Sequence, residues 1–347
     1  MEPLDDDSSR HWAEPGIYRV TDGVYRIPLP MPNDGLRSIN VYALANGSET
    51  VLIDSGWALD EARDQLELAL GAIDIGLGDV RQFLITHVHR DHYTMAVRLR
   101  REFGNHVALG QLEEPSLKAT ADPDGVPLAA QGKLLLGCGA HELVSELTGM
   151  FGNDPPPEAL DDWEQPDEWL LPGKRLLPTG AELDVVHTPG HTTGHLVFTD
   201  EQRGLLFSGD HVLPHITPSI GFEPVPAELP LHDFLNSLRL VGELPDRKLL
   251  PAHGPVTDSA HARVDELLDH HDERLTVIGE TIAAGASTAY ESAHRLDWTR
   301  RKRALADLDV FNRTLAVLET AAHLDLLAYR GDLAVTEEDG VRHYKQR

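Results

Sequence analysis

The segment Thr86-His87-Val88-His89-Arg90-Asp91-His92 follows directly on the apolar run Phe83-Leu84-Ile85. It contains three imidazoles and one carboxylate, and such nitrogen and oxygen donors are the ligands that zinc and similar ions take from proteins. The apolar run predicts a buried strand, whose end would hold these ligands rigidly. The alternative is a surface cluster of histidines that binds no metal. Histidine-rich tracts that bind metal only loosely are usually of low complexity, and this segment is not of low complexity. The segment therefore predicts a metal site.

The spacing of the ligands within this segment carries further information. Alternate residues of an extended chain point the same way, so His87 and His89 can hold one ion from one side. Asp91 and His92 come where the strand should give way to a helix, which we predict over 93–103. That turn can direct them towards a second ion.

Composition excludes several classes of protein. The chain has 347 residues and a formal net charge of −27, which disfavours general binding to nucleic acid or to anionic membranes. Cys138 is the only cysteine, so no intrachain disulfide can form. The acidic N-terminus does not resemble a secretory signal, and no apolar run approaches the length of a membrane span. We therefore expect a cytoplasmic protein.

Strand-like and helix-like segments alternate along the chain, which predicts an α/β fold. Strands are predicted over 24–29, 39–44, 50–53, 83–85, 106–109, 183–186, 196–199, 205–208 and 248–251. Helices are predicted over 59–70, 93–103, 128–150, 233–244, from 258, 288–296 and 305–328.

The predicted domains follow from changes in this pattern. Residues 1–16 are polar and predicted to be a flexible N-terminus, and 17–260 are predicted to form the catalytic domain. Within it, 111–178 reads as a tryptophan-bearing insertion that acts as a lid, or as a surface subdomain that does not touch substrate. Residues 261–347 predict helices and then a polar hairpin with Asp339-Gly340 at its tip, an arrangement that resembles a winged helix.

Three further motifs each present one candidate ligand near the end of a predicted strand. They are Pro189-Gly190-His191-Thr192, Gly209-Asp210 and Ala252-His253-Gly254. A carboxylate such as that of Asp210 can bridge two cations with its two oxygens. Each motif alone is weak evidence, but together and in this order they indicate a dinuclear metal centre.

With these motifs, and with Leu52-Ile53-Asp54-Ser55-Gly56 upstream, the chain resembles the metallo-β-lactamase superfamily, and specifically its glyoxalase II-like members. The resemblance extends over roughly residues 20–260. It implies a four-layer αββα sandwich with the metals at one edge of its two sheets, followed here by the C-terminal helical domain.

The resemblance also implies which residue holds which ion. The expected ligands are His87, His89 and His191 for the first ion, Asp91, His92 and His253 for the second, and Asp210 as the bridge. Asp54 would orient a ligand, and Asp91 could also accept a proton. The cofactors are expected to be two divalent cations, zinc in the first instance, although iron and manganese also suit such ligands.

These features predict a hydrolase that cleaves an ester-like acyl bond, a thioester before others, by a metal-bridging hydroxide. No glutathione-binding set is recognisable, so the thiol carrier stays open. β-Lactam hydrolysis is disfavoured, because true β-lactamases generally place a cysteine or serine near the position of Asp210. A lactonase and a metal-dependent endoribonuclease are the alternatives, since 209–221 resembles a branch with both fungal acyl-carrier thioesterases and animal endoribonucleases.

The expected partner is a small acyl substrate, with no membrane and no nucleic acid. The basic run Arg300-Arg301-Lys302-Arg303 is where RNA would be held, but in so acidic a chain it reads better as a solvated loop. The long helices from 258 and over 305–328 carry enough leucine and alanine for a homodimer interface.

Overall fold

The computed structural model describes residues 2–7, 10–32, 34–47, 49–122, 125–126, 128–151, 162–299 and 301–347. The run of prolines and acidic residues at 153–158 and Arg300 of the basic run lie outside this part of the chain. Among the helices that are described, none is both long and apolar enough to cross a bilayer.

The first sheet has eight strands whose order in space follows their order in the chain. They are β1 (Leu4–Asp5), β2 (Tyr18–Thr21), β3 (Val24–Pro30), β4 (Ser38–Asn46), β5 (Glu49–Ile53), β6 (Val80–Ile85), β7 (His106–Gly110) and β8 (Glu168–Leu170). From β2 to β5 the strands pair antiparallel, whereas β5 to β8 are parallel. Parallel neighbours need crossover connections, which α1 (Asp60–Gly71) and α2 (Arg90–Phe103) supply.

The second sheet has five strands in the order β13-β12-β11-β10-β9. They are β9 (Gly173–Leu176), β10 (Glu182–His187), β11 (Leu196–Asp200), β12 (Leu205–Gly209) and β13 (Lys248–Pro251). Helix α6 (Pro230–Glu243) connects β12 to β13, and these two strands pair in parallel.

Alternation along the strands builds the layers, because successive side chains of a strand point to opposite faces. In β6, Phe83 and Ile85 pack in a cluster with α1 and α2, while Leu84 points into a second cluster between the sheets. In β12, Phe207 joins that central cluster, while Leu206 packs beneath α6. Helix, sheet, sheet and helix thus stack in four layers, which confirms the predicted αββα sandwich.

The C-terminal part contains the predicted helices and hairpin. They are α7 (Ala260–Ala283), α8 (Ala289–Ala293), α9 (Val310–Arg330), β14 (Leu333–Glu338) and β15 (Val341–Gln346). Helix α9 begins five residues after the predicted start at 305, because Asp309 caps it by accepting the N–H of Asn312 at 2.9 Å. These helices share one hydrophobic cluster with α6 and with side chains of the second sheet, and α7 and α9 pack against α6. A separate winged-helix-like domain from 261 onward stays a prediction.

The segment 111–178 is less separate than the sequence predicted. Its strand β8 pairs with β7 in the first sheet, and β9 pairs with β10 in the second, so the segment extends both sheets. The predicted single helix over 128–150 is two helices, α4 (Ala129–Gly137) and α5 (His141–Phe151), which follow α3 (Glu114–Thr120). The break falls at Gly139, whose φ of 80° does not fit a helix.

The role of this insertion as a lid stays a prediction, and its two tryptophans pack against the fold. Trp163 and Trp169 pack on the cluster between the first sheet and its helices. The Trp163 ring stacks on Tyr93 with centroids 6.4 Å apart, and the Tyr93 hydroxyl donates to the carbonyl of Glu164. Both indoles therefore help to pack the helices against the first sheet.

The central layer gives a test of the fold. Leu183 in β10 is fully buried between the sheets, whereas Leu176 in the neighbouring β9 is 73% exposed. Leu183→Ala should lower the free energy of unfolding by about 2–5 kcal/mol, because it removes buried methyl groups and leaves a cavity. The matched control Leu176→Ala should change it by less than about 0.5 kcal/mol in the same denaturant titration. Equal effects of the two substitutions would contradict the burial of Leu183 between the two sheets.

A pair of histidines is buried between α7 and α9. The Nδ1 of His271 and the Nε2 of His323 lie 3.1 Å apart, and the Nδ1–H of His323 donates to the carbonyl of Glu319. Burial, followed by the neighbouring His323, lowers the pKa of His271 to about 2, and burial lowers the pKa of His323 to about 3. Both rings are therefore neutral in the folded protein at pH 7.

This pair predicts acid sensitivity of the C-terminal helices. Because both folded-state pKa values lie below the ordinary 6.5, the unfolded chain takes up protons first as the pH falls. The contribution of this pair to the free energy of unfolding is fully present above about pH 6.5. Below that pH, the free energy of unfolding should fall by up to about 1.4 kcal/mol per pH unit for each histidine. Replacing both with leucine should remove this part of the slope in denaturant titrations between pH 7 and pH 5. An unchanged slope would count against neutral burial of the pair.

Candidate metal centre

All seven predicted ligands lie at one edge of the two sheets. His87 and His89 follow β6, and His191 lies in the loop between β10 and β11. Asp210 follows β12, and His253 follows β13. The remaining two, Asp91 and His92, lie in the first turn of α2, which begins three residues before the predicted start at 93.

The first cluster consists of three imidazole nitrogens that face one another. The Nε2 of His87 lies 3.0 Å from the Nδ1 of His89, and the Nε2 of His191 lies 3.2 Å and 3.0 Å from these two atoms. Ligands at the usual zinc–nitrogen distance in a tetrahedron are about 3.3 Å apart. The spacing of the nitrogens therefore suits a single small cation.

The second cluster lies next to the first and contains Asp91, His92 and His253. The Oδ2 of Asp91 is 3.5 Å from the Nε2 of His92 and 3.3 Å from the Nε2 of His253. Asp210 faces both clusters, since its Oδ2 is 3.5 Å from His191 Nε2 and its Oδ1 is 3.4 Å from His253 Nε2. This carboxylate has the geometry of a bridge.

Partnerless polar atoms test whether a cation fits here. The Nε2 of His92, the Nε2 of His253 and the Oδ1 of Asp210 are buried and have no hydrogen-bond partner among the described residues. Buried polar atoms are normally satisfied, and an unsatisfied one calls for a physical reason. Two divalent cations would satisfy all three atoms, so the donor set fits a dinuclear centre.

The second nitrogen of each ring is engaged elsewhere, which sets the tautomer. His89 donates from Nε2 to the carbonyl of Phe222 at 3.0 Å, His191 from Nδ1 to that of Ser219 at 2.7 Å, and His253 from Nδ1 to that of Ser38 at 2.8 Å. A ring that donates on one side keeps a lone pair on the other. These three histidines therefore direct a lone pair at the centre.

Asp54 and Thr86 do the same for the remaining two histidines. Asp54 Oδ2 lies 2.9 Å from His92 Nδ1, and its Oδ1 accepts both the N–H and the hydroxyl of Thr86. The hydroxyl of Thr86 in turn lies 3.1 Å from Nδ1 of His87. Asp54 has a φ of 59°, a backbone conformation that few non-glycine residues adopt. The orienting role expected for Asp54 agrees with these contacts.

Comparisons with known proteins agree with this geometry. The model of the metallo-beta-lactamase superfamily matches residues 34–253. The chain belongs to this superfamily. The matched part begins before β4 and ends at His253, so it contains all seven candidate ligands.

Curated relatives include hydrolases. A probable metallo-hydrolase of Bacillus subtilis, YqjP, is 24% identical over 89% of this chain and 93% of its own. An atrochrysone carboxyl ACP thioesterase of Aspergillus chevalieri is 26% identical over 85% of this chain and 76% of its own. The chain is accordingly a metallo-hydrolase of the superfamily.

Solved structures agree on the fold over nearly the whole chain. The metallo-beta-lactamase family protein TTHA1429 from Thermus thermophilus aligns with a TM-score of 0.76 and 28% identity, over 95% of this chain and 100% of that one. A beta-lactamase domain protein from Burkholderia ambifaria aligns with a TM-score of 0.75 and 23% identity, over 98% of both chains. The structural similarity to these two proteins thus extends through the C-terminal helices of this chain.

The two clusters differ in charge. Burial lowers the pKa of His191 to about 3, with help from His89, so this ring is neutral and ready to bind a cation. Burial also lowers the pKa of His92, but Asp54, Asp91 and Asp210 outweigh it and raise that pKa to about 10. A cation entering the second cluster therefore displaces a proton from His92.

Several groups that support the ligands were not identified from the sequence. They are the carbonyls of Ser38, Ser219 and Phe222, and the buried carboxyl groups of Glu113 and Glu223. A backbone carbonyl carries no sequence signal, and these glutamates stand in no ligand-like motif. His195, which is also outside the predicted ligand set, is fully buried, and its Nε2 accepts the backbone N–H of Asp210 at 3.2 Å.

Asp54→Asn should weaken the binding of one cation. The amide nitrogen of asparagine would face the Nδ1–H of His92 in place of an acceptor, so the imidazole would move its proton to Nε2 and lose the lone pair there. Such supporting contacts are worth about 10- to 100-fold in metal affinity. Zinc affinity measured by competition with a chromogenic chelator should fall by this factor, whereas the exposed control Asp60→Asn should match the wild type. Wild-type affinity in Asp54→Asn would show that the tautomer is set by other contacts.

Proposed function

We propose that this protein hydrolyses acyl thioesters at a dinuclear metal centre. His87, His89, His191 and Asp210 would hold one divalent cation, and Asp91, His92, His253 and Asp210 would hold the other. Bound there, the two cations would supply a hydroxide nucleophile at neutral pH and polarise the carbonyl under attack. The observation that carries the proposal is Asp210, whose two oxygens face the two clusters.

The residues of the chain would prepare this chemistry. Phe222, Ser219 and Ser38 hold three imidazoles through their carbonyls, so little reorganisation is needed when substrate enters. Asp91 has both a position and a charge suited to holding a cation. Burial raises its pKa, but His92 and His253 outweigh that effect and hold the pKa well below its usual range. Asp91 would thus be ionised throughout the neutral range, which suits a ligand, whereas so low a pKa makes it a weak acceptor of protons.

An apolar surface beside the first cluster supports an acyl substrate. The backbone of Phe222 contacts His89, and its ring meets that of Phe311 edge-on with centroids 5.5 Å apart. Phe311 is 40% exposed at the first turn of α9. Exposed aromatic rings next to polar donors are typical of small-molecule sites. This aromatic pair supports a site for the apolar part of an acyl substrate.

The relatives and the charge favour the same reaction. The relative from Aspergillus chevalieri is named a thioesterase of an acyl carrier protein. The net charge of −27 opposes an approaching phosphodiester backbone, which disfavours the endoribonuclease alternative. Arg301, Lys302 and Arg303 are exposed, but acidic residues greatly outnumber basic ones in the whole chain.

Substrate turnover tests the proposal. Zinc-, iron- or manganese-loaded protein should hydrolyse acyl-CoA, acyl-glutathione or acyl-pantetheine thioesters with a higher kcat/KM than lactones or labelled single-stranded RNA. His89→Ala should lower thioester turnover by more than about 100-fold, because loss of a ligand should exceed the loss of a supporting contact. The control is His106→Ala, since His106 is exposed and lies at the opposite end of the first sheet.

Three results would decide against thioester hydrolysis. Turnover that is equal in wild type and His89→Ala would come from a contaminant. A preference for lactones would assign the protein to the lactonase alternative. Cleavage of RNA with no thioester turnover would assign it to the phosphodiesterase alternative.

A further inference from the structure

Two buried glutamates lie behind the first cluster. Glu113 is fully buried and Glu223 is 2% exposed, yet neither belongs to the candidate ligands. A carboxyl group is costly to bury unless hydrogen bonds compensate for the lost water. The contacts of these two side chains therefore indicate why they are there.

Glu223 ties together three segments that are distant in sequence. Its Oε1 accepts the backbone N–H of Thr193 at 2.7 Å and the hydroxyl of Thr193 at 2.8 Å. Its Oε2 accepts the hydroxyl of Ser116 at 2.8 Å, and its own carbonyl accepts the side chain of Gln131 at 3.1 Å. The glutamate thereby joins the loop after His191 to α3 and α4.

The backbone just before Glu223 holds two ligands. In the loop 219–223, the carbonyl of Ser219 accepts from His191 and that of Phe222 accepts from His89. The N–H of Gly221 donates to the carbonyl of Gly190 at 3.0 Å, which attaches the loop next to His191 as well. A shift of this loop would turn two of the three imidazoles of the first cluster.

Glu113 reaches the same cluster from the other side. Its Oε1 accepts the hydroxyl of Thr192. The backbone N–H of Val88, between His87 and His89, faces the same carboxyl group and favours its charged form. The packing there is close, because a Cβ added to Gly194 would lie 2.3 Å from the backbone nitrogen of Glu113. Glu113 thus holds both chain segments that carry the first three histidines.

We propose that Glu113 and Glu223 are positioning residues that set the affinity of the first cluster for its cation. They touch neither the expected cation nor the substrate, and they act through Val88, Thr192, Thr193 and the loop 219–223. The inference rests on the metal centre proposed above. It also gives part of the segment 111–178 a definite role: the turn at Glu113, Ser116 in α3 and Gln131 in α4 support the ligands from behind.

Metal affinity, measured without reference to turnover, tests this role. Zinc binding to Glu113→Ala and Glu223→Ala is followed by competition with a chromogenic chelator, and the Co²⁺ absorption spectrum reports ligand geometry. Each alanine variant should bind one of the two cations about 10- to 100-fold more weakly and bind the other with unchanged affinity. The matched controls are Glu114→Ala and Glu228→Ala, which remove carboxylates next in sequence or on the same connecting segment that make no contact with the first cluster.

The conservative variants separate positioning from charge. Burial raises the pKa of Glu113 to about 8, so its carboxyl group is protonated at neutral pH and an amide resembles it. Glu113→Gln keeps an oxygen that accepts the Thr192 hydroxyl, and Glu223→Gln keeps one that accepts both groups of Thr193. The Ser116 hydroxyl, which donates to the other oxygen of Glu223, can turn to accept from the new amide instead. Both glutamine variants should restore most of the affinity that the alanine variants lose.

Several results would overturn the inference. One is that the alanine variants bind both cations with wild-type affinity. Another is that they bind both cations equally more weakly, because that indicates a general loss of structure around the centre. Should the alanine variants not fold, Ser116→Ala removes one donor to Glu223 and decides instead: weaker binding of one cation supports the role, and unchanged binding refutes it. A wild-type chain that binds no cation would contradict the metal centre itself, so the two failures are distinct.

Discussion

Buried polar atoms without a hydrogen-bond partner among the described residues are the constraint on which this structure depends. His92, His253 and Asp210 each present a buried donor atom that no other group of the described residues satisfies. Such atoms oppose folding unless a cation or strong scaffolding compensates, because an unpaired buried polar group costs free energy. The two sheets, whose central cluster is apolar, supply the scaffold by ending at the same edge.

The chain meets this constraint by distributing support over many segments. Ser38 begins β4, Asp54 follows β5, and Ser219 and Phe222 lie between β12 and α6, yet each fixes one imidazole. No single loop therefore holds the centre alone. Because the supports are mostly backbone carbonyls, they tolerate changes of side chain, which fits the low identity of about 25% to relatives of the same superfamily.

The sequence predicted which candidate ligands come together far better than it predicted what surrounds them. His-x-His-x-Asp-His places four donors within six residues, so local geometry alone brings them together. The four layers were implied by the family resemblance, whereas the apolar run Phe83-Leu84-Ile85 by itself predicted only a buried strand, which β6 confirms. Strands β8 and β9 were missed because they are three and four residues long, and their identity comes from pairing with β7 and β10. Glu113 and Glu223 were missed because their burial depends on contacts between distant segments.

The surface beside His89 is built by parts that superfamily membership does not specify. The family match ends at residue 253, yet Phe311 lies beyond it and meets Phe222. Helices α4 and α5 pack in the same hydrophobic cluster as α8 and α9, through Leu135, Leu143, Ala293 and Leu324. A change at the exposed face of α9, where Phe311 lies, would therefore alter this apolar surface while leaving the ligands in place. Proteins with this set of candidate ligands can thus differ in substrate, because the ligands and the aromatic surface beside them come from different parts of the chain.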